Sequence, residues 1–83
     1  MDKGRCKAYV RVEAWFEEDG TIHPTCIIWG NGARYSVDKV LDRRPGVSLK
    51  AGGAGMRYTV SIADRVTFLY QQGSQWFVEK KNT

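Results

Sequence analysis

The sequence predicts an all-β fold, a small six-stranded antiparallel barrel or roll of the SH3-like or OB-like kind. Three observations carry that prediction. Apolar and polar residues alternate with period two in several short runs, the signature of half-buried strands. Turn signals separate the runs at near-regular spacing: Asp19-Gly20, Gly30-Asn31-Gly32, Ala63-Asp64 and Gly73-Ser74. Two stretches nearly copy one another, Arg34-Tyr35-Ser36-Val37 and Arg57-Tyr58-Thr59-Val60, each in the order basic, aromatic, hydroxyl, β-branched. In an extended chain that order sets Tyr and Val on one face and Arg with Ser or Thr on the other. A barrel closes such a meander best, because it removes exposed strand edges.

The first strand runs from Tyr9 to Phe16, with Val10, Val12, Ala14 and Phe16 on one face and Tyr9, Arg11, Glu13 and Trp15 on the other. Asp19-Gly20 reads as a two-residue type I′ hairpin turn, with positive φ at both central positions. That turn pairs Glu13 with Cys26, Val12 with Ile27 and Val10 with Trp29. Pro24 donates no ladder hydrogen bond and implies an edge position or a bulge. Gly30-Asn31-Gly32 leads into the strand that begins at Arg34. Beyond Val37 two readings compete. Val37, Val40 and Leu41 have helical spacing, with Ser36 as cap and Pro45-Gly46 as stop. The favoured alternative is a strand with a bulge near Lys39, which shifts the buried face.

Met56 to Ile62 places Tyr58, Val60 and Ile62 together on one side. Ala63-Asp64 turns the chain into Val66 to Tyr70, and Gly73-Ser74 suits a type II′ turn before Gln75 to Lys80. In this closing hairpin Leu69, Gln71, Trp76 and Val78 share one face, and Phe68, Tyr70, Phe77 and Glu79 the other. Both faces carry bulky apolar groups, so alternation leaves the inward one open.

The 83 residues suit one domain over residues 1–83, with residues 1–6 and 81–83 read as flexible ends. A hydrophobic share of 42% with a net charge of only +4 excludes a disordered chain. Met1 to Lys7 has no apolar run behind its charges, so it does not read as a secretory signal. No stretch approaches the roughly 18 to 20 apolar residues of a membrane span, so no membrane partner is expected. Cys6 and Cys26 make neither a disulfide framework nor a zinc site, which sets cytoplasmic residence with reduced thiols as the expectation, without metal or cofactor.

Catalytic groupings are weak. His23 is the one histidine and has no recognisable nucleophile or orienting acid beside it. Cys26 precedes Ile27 and Ile28 and reads as a buried thiol. Asp38 and Asp42 lie near Lys39, Arg43 and Arg44, so salt bridging or a turn role outweighs acid–base chemistry. No enzyme is expected. The Gly52-Gly53-Ala54-Gly55 run offers backbone N–H groups as an anion nest, yet lacks the Lys-Ser/Thr ending and the following helix of a P-loop.

Charge gives the functional expectation. Residues 1–20 hold four basic and five acidic side chains, whereas residues 21–83 hold nine basic and four acidic ones. The segment from Arg43 to Met56 is glycine-rich and carries no acid. These features suggest a non-catalytic module that binds DNA or RNA. Arg34, Arg43, Arg44, Lys50 and Arg57 would neutralise phosphates, and Trp15 or Tyr9 would stack bases. The rival is a protein-interaction module or homodimer, since the closing hairpin holds more apolar surface than one small core needs.

Trp29, the run Arg34 to Asp42, Ser48-Leu49-Lys50-Ala51-Gly52-Gly53, Arg57-Tyr58-Thr59-Val60 and Trp76-Phe77 form a pattern that resembles a group of small uncharacterised bacterial proteins. The tryptophans and the valine-leucine-aspartate run, Val40 to Asp42, are also similar to a domain of unknown function found beside lesion-bypass polymerases. That second resemblance implies a nucleic-acid context.

Overall fold

Seven strands follow one another in a computed structural model that describes residues 5–46 and 55–81, with side chains described for 7–46 and 55–79. They are β1 (Arg5–Phe16), β2 (Ile22–Ile28), β3 (Arg34–Ser36), β4 (Lys39–Pro45), β5 (Met56–Ile62), β6 (Arg65–Gln72) and β7 (Gln75–Lys81). All the pairings are antiparallel, in the order β3-β2-β1-β7-β6-β5-β4. The sheet curls into a half-barrel, not the closed six-stranded barrel that the sequence suggests.

The extra strand arises from a break in the run that begins at Arg34. Val37 donates its N–H to Thr25 O on β2 (2.9 Å), and the next residue, Asp38, donates to Ser61 O on β5 (2.8 Å). One dipeptide therefore hands the chain from one edge of the sheet to the other. No helix forms between Ser36 and Arg44, and the bulge expected near Lys39 falls between Val40 and Asp42.

β1 is divided between two partners. Arg5 to Val10 pair with β7, and Arg11 to Phe16 pair with β2. The expected pairs Glu13–Cys26 and Val12–Ile27 form, but Val10 faces Trp76 of β7 instead of Trp29. The β1–β2 register shifts beside Pro24, which has no amide proton to give the ladder. β1 and β7 reach into the segments read as flexible ends, through the pairs Arg5–Lys81 and Cys6–Lys80.

The turns also redistribute. Gly20 N–H bonds Glu17 O and Glu17 N–H bonds Thr21 O, with positive φ at Gly20 (93°) and not at Asp19. This is a three-residue loop with a glycine bulge, not the expected I′ turn. The I′ pattern occurs instead at Ala63 (φ 50°) and Asp64 (φ 67°), two L-residues in the left-handed region. Asp38 holds that turn by accepting the Ala63 N–H at 2.9 Å.

The core lies on the inner face. Ile27, Tyr58, Val60, Leu69 and Val78 form its buried cluster, with Val10, Val12, Trp29, Val40 and Trp76 packed against it. The structure thus settles the closing hairpin: Leu69, Trp76 and Val78 point inward. Tyr58 and Val60 sit in the core and their neighbours Arg57 and Thr59 alternate outward, as the near-repeat predicts. Tyr58 donates its hydroxyl to Gln71 Oε1 at 2.9 Å, and burial pushes its phenol above the ordinary value.

Candidate nucleic-acid interface

Cross-strand register places five side chains in one lateral row on the outer face. Tyr9 of β1 faces Phe77 of β7, Phe77 faces Tyr70 of β6, Tyr70 faces Arg57 of β5, and Arg57 faces Arg44 of β4. Directly opposed residues lie on the same face of a sheet, so the row runs unbroken across five strands. At about 4.8 Å per strand it spans roughly 19 Å.

The aromatic half of the row is packed against itself. Phe77 is only 2% exposed although it faces outward. Tyr70 stacks on it at 5.1 Å with the rings 6° apart, and Tyr9 meets its other side edge-on at 5.7 Å. The Lys7 ammonium sits 4.6 Å from the Phe77 ring centre, a cation–π contact. Tyr9 remains 54% exposed and is the most accessible ring of the row. Next to the row, the Arg57 guanidinium lies 4.7 Å from the Phe68 ring, and its buried Nε has no hydrogen-bond partner among the described residues.

Three of the seven residues expected from sequence, Tyr9, Arg44 and Arg57, are brought together by this row. Lys50 lies outside the described residues, as do Gly52, Gly53 and Ala54 of the glycine run. The remaining three go elsewhere. Arg34 on β3 pairs with Glu13 through Nη2 at 2.7 Å, which raises its already high pKa. Arg43 belongs to the inward-facing set of β4, opposite Tyr58. It donates Nε–H to Ile22 O at 3.1 Å and Nη2–H to His23 Nδ1. Trp15 is 64% exposed on the β1–β2 hairpin, beside Phe16 at 68%, and outside the row.

The acid candidates serve the backbone and the surface. Arg43 has only donors to offer, so His23 Nδ1 must accept and the ring proton sits on Nε2, 3.5 Å from Glu17 Oε2. This arginine–histidine–glutamate chain ties β4 to β2. Asp42 takes a 2.7 Å ion pair from Arg44, and Asp38 clamps the Ala63-Asp64 turn. Cys26 is a buried free thiol. Among the described residues no group of three His, Cys, Asp or Glu side chains is placed to hold a metal ion, and no helix is long and apolar enough to cross a membrane.

Gly46 and Gly55 form the neck of the glycine-rich segment, with Gly46 N–H bonded to Gly55 O at 2.9 Å. A Cβ on Gly55 would lie 2.5 Å from Gln71 O, so a side chain is excluded there. Arg44 and Arg57 form the cross-strand pair two steps from this neck, with Pro45–Met56 between. Sequence reasoning missed Phe77, Tyr70 and Lys7 as members of this outer-face group. The signal was present in the alternation of the closing hairpin, but only lateral register distinguishes an outward row from a second core face. Comparisons with protein-family models, with curated proteins and with solved structures give no match to this chain.

Proposed function

We propose that this chain is a small non-catalytic module that binds single-stranded nucleic acid, DNA or RNA, across the outer-face row of Tyr9, Phe77, Tyr70, Arg57 and Arg44. The observation that carries the reading is the graded composition of that row, aromatic at β1 and cationic at β4, on a chain of net charge +4. Tyr9 stacks a base, a contact worth about 1 to 3 kcal/mol in such modules. Phe77, itself stacked on Tyr70, braces Tyr9 from one side. Arg57 and Arg44 neutralise phosphates. The Arg44–Asp42 pair is exposed on both sides, and such pairs contribute only about 0 to 1 kcal/mol, so a phosphate displaces Asp42 readily. On this reading the curled sheet is an open relative of the SH3-like or OB-like platforms, working in the cytoplasm, where the Cys26 thiol stays reduced.

Fluorescence anisotropy with labelled single-stranded DNA and RNA at low salt tests the proposal. Saturable binding that weakens about tenfold or more in Tyr9→Ala supports it. Absence of binding at high micromolar protein removes it. A protein-interaction or self-associating module is the second reading, favoured by the adjacent exposed rings of Trp15 and Phe16 beside the acidic Glu17, Glu18 and Asp19. Sedimentation at several concentrations separates the two: a dimer lost in Trp15→Ala favours association.

A further inference from the structure

Independently of the nucleic-acid reading, the sheet contains an internal seam. β6 and β7 pair only at Tyr70–Phe77, Gln71–Trp76 and Gln72–Gln75, next to their turn. Beyond that point both strands continue, β6 back to Arg65 against β5 and β7 on to Lys81 against β1. The facing halves of the two strands have no ladder between them. One wing of the sheet is β4-β5-β6 and the other is β7-β1-β2-β3.

The backbone groups that face this seam can be assigned from the turns. Ile62–Arg65 and Gln72–Gln75 each flank a two-residue turn, and a flanking pair of that kind exchanges both its hydrogen bonds. With period two, Arg65, Thr67 and Leu69 aim their N–H and C=O at β5. Val66 and Phe68 aim theirs at the seam, and they are 63% and 42% exposed. Arg65-Val66-Thr67-Phe68-Leu69 is therefore a β-prone stretch with one side open, a template for a further strand.

Clefts flank the seam on both sides. On the inner side a cleft of about 240 Å³ is lined by Ile27, Trp29, Tyr35, Ile62, Thr67 and Val78 with Glu79. It joins a wider one of about 570 Å³ that shares Trp29, Tyr35, Ile62 and Thr67 and has Arg65 at its rim. On the outer side Val66, Phe68 and Tyr70 border another of about 220 Å³, again with Thr67 and Glu79. A single strand that follows the seam would send alternate side chains into the inner and outer clefts. Five residues of β6, Arg65 to Leu69, give it roughly 17 Å of track.

We infer that this seam receives an extended peptide segment of a partner protein by strand addition, apolar at alternate positions and carrying an acidic side chain opposite Arg65. Backbone edges specify an extended polypeptide, since only a strand presents N–H and C=O at the matching repeat. Charge specifies the acid, because Arg65 is exposed and has no ion pair among the described residues. Topology disfavours a second copy, because a strand seated between β6 and β7 has both of its edges in the seam, whereas an edge strand of another copy already has one edge paired in its own sheet.

The test is selection of a phage-displayed random decapeptide library on the whole chain, followed by amide hydrogen exchange with the enriched peptide. In the free chain the amides of Val66 and Phe68 should exchange at least 100-fold faster than those of Thr67 and Leu69. The selected peptide should alternate apolar residues, contain an acid, and slow exchange at Val66 and Phe68 at least tenfold. Arg65→Glu and Val66→Pro should each lower its affinity at least tenfold while leaving exchange at Val60 and oligonucleotide binding unchanged. Four results overturn the inference: no enriched peptide, protection of Val66 and Phe68 in the free chain, protection that grows with protein concentration alone, or a peptide that protects other strands. None of these depends on whether the Tyr9 row binds nucleic acid, so the two readings fail separately.

Discussion

Replacing Asp38 by alanine removes the acceptor that holds the Ala63-Asp64 turn. Asp38 lies in the dipeptide that carries the chain between the two edges of the sheet, and its backbone N–H already bonds Ser61 O at 2.8 Å. Its carboxylate adds a 2.9 Å hydrogen bond from Ala63 N–H. A hydrogen bond to a charged group contributes about 1.5 to 3 kcal/mol net, and exposure of both partners brings the expected loss to about 1 to 2 kcal/mol. The turn it supports is strained. Ala63 and Asp64 sit at φ 50° and 67°, where an L-residue costs on the order of 1 kcal/mol. In a domain of this size 1 kcal/mol shifts Tm by about 4 to 8 °C, so Asp38→Ala should melt roughly 4 to 16 °C below the parent chain. Asp38→Asn keeps an acceptor and should recover about half of the loss. The double change Ala63→Asn with Asp64→Gly relieves the strain and should add about 1 to 2 kcal/mol. Urea and thermal unfolding followed by tryptophan fluorescence measure all three. If Asp38→Ala falls within about 0.3 kcal/mol of the parent, or Asn is as damaging as Ala, the clamp is not what holds the turn.

Gly55→Ala should cost about 1 to 3 kcal/mol by overpacking, because its Cβ meets the Gln71 carbonyl oxygen at 2.5 Å; unchanged urea stability would show that the neck gives way. Tyr58 predicts the alkaline limit of stability. Its folded pKa lies above the unfolded value, so the buried neutral phenol's contribution is intact below the unfolded pKa and lost as pH rises through the folded one. Urea unfolding measured into the alkaline range should show this decline, and an identical decline in Tyr58→Phe would assign it elsewhere. Arg34→Gln should leave the urea midpoint close to that of the parent and oligonucleotide affinity with its salt dependence unchanged, since the exposed Arg34–Glu13 pair stands outside the row.

The strands and their faces were largely legible in the sequence, because alternation and turn residues act locally. Tyr58 with Val60 follow from a period of two, whereas Val12–Ile27 and Glu13–Cys26, expected from a two-residue loop, form because the three-residue loop and the register shift between Glu13 and Ala14 offset one another. Other features depend on residues far apart in the chain. The break at Val37-Asp38 needs both Thr25 and Ser61 as acceptors, one on each edge of the sheet. The left-handed turn at Ala63-Asp64 departs from the usual glycine or asparagine chemistry and forms with a carboxylate 25 positions earlier bound to it. The arginines show the same limit. Composition made Arg34, Arg43, Arg44 and Arg57 equivalent, while the structure gives them a glutamate, a histidine with a carbonyl, an aspartate and an aromatic ring respectively. The outward row needs the lateral register of five strands, and both faces of the closing hairpin were bulky enough to pass for core.

The most direct test of the binding surface is a chemical-shift map of the isotopically labelled chain titrated with a single-stranded oligothymidylate at low salt. Perturbations should concentrate at Tyr9, Phe77, Tyr70, Arg57 and Arg44, spread to Lys7 and Phe68, and fade as salt is raised. Shifts confined to Trp15 and Phe16 or to the Trp29–Tyr35 cleft, or none at saturating oligonucleotide, would contradict the assignment of the outer-face row as a nucleic-acid platform.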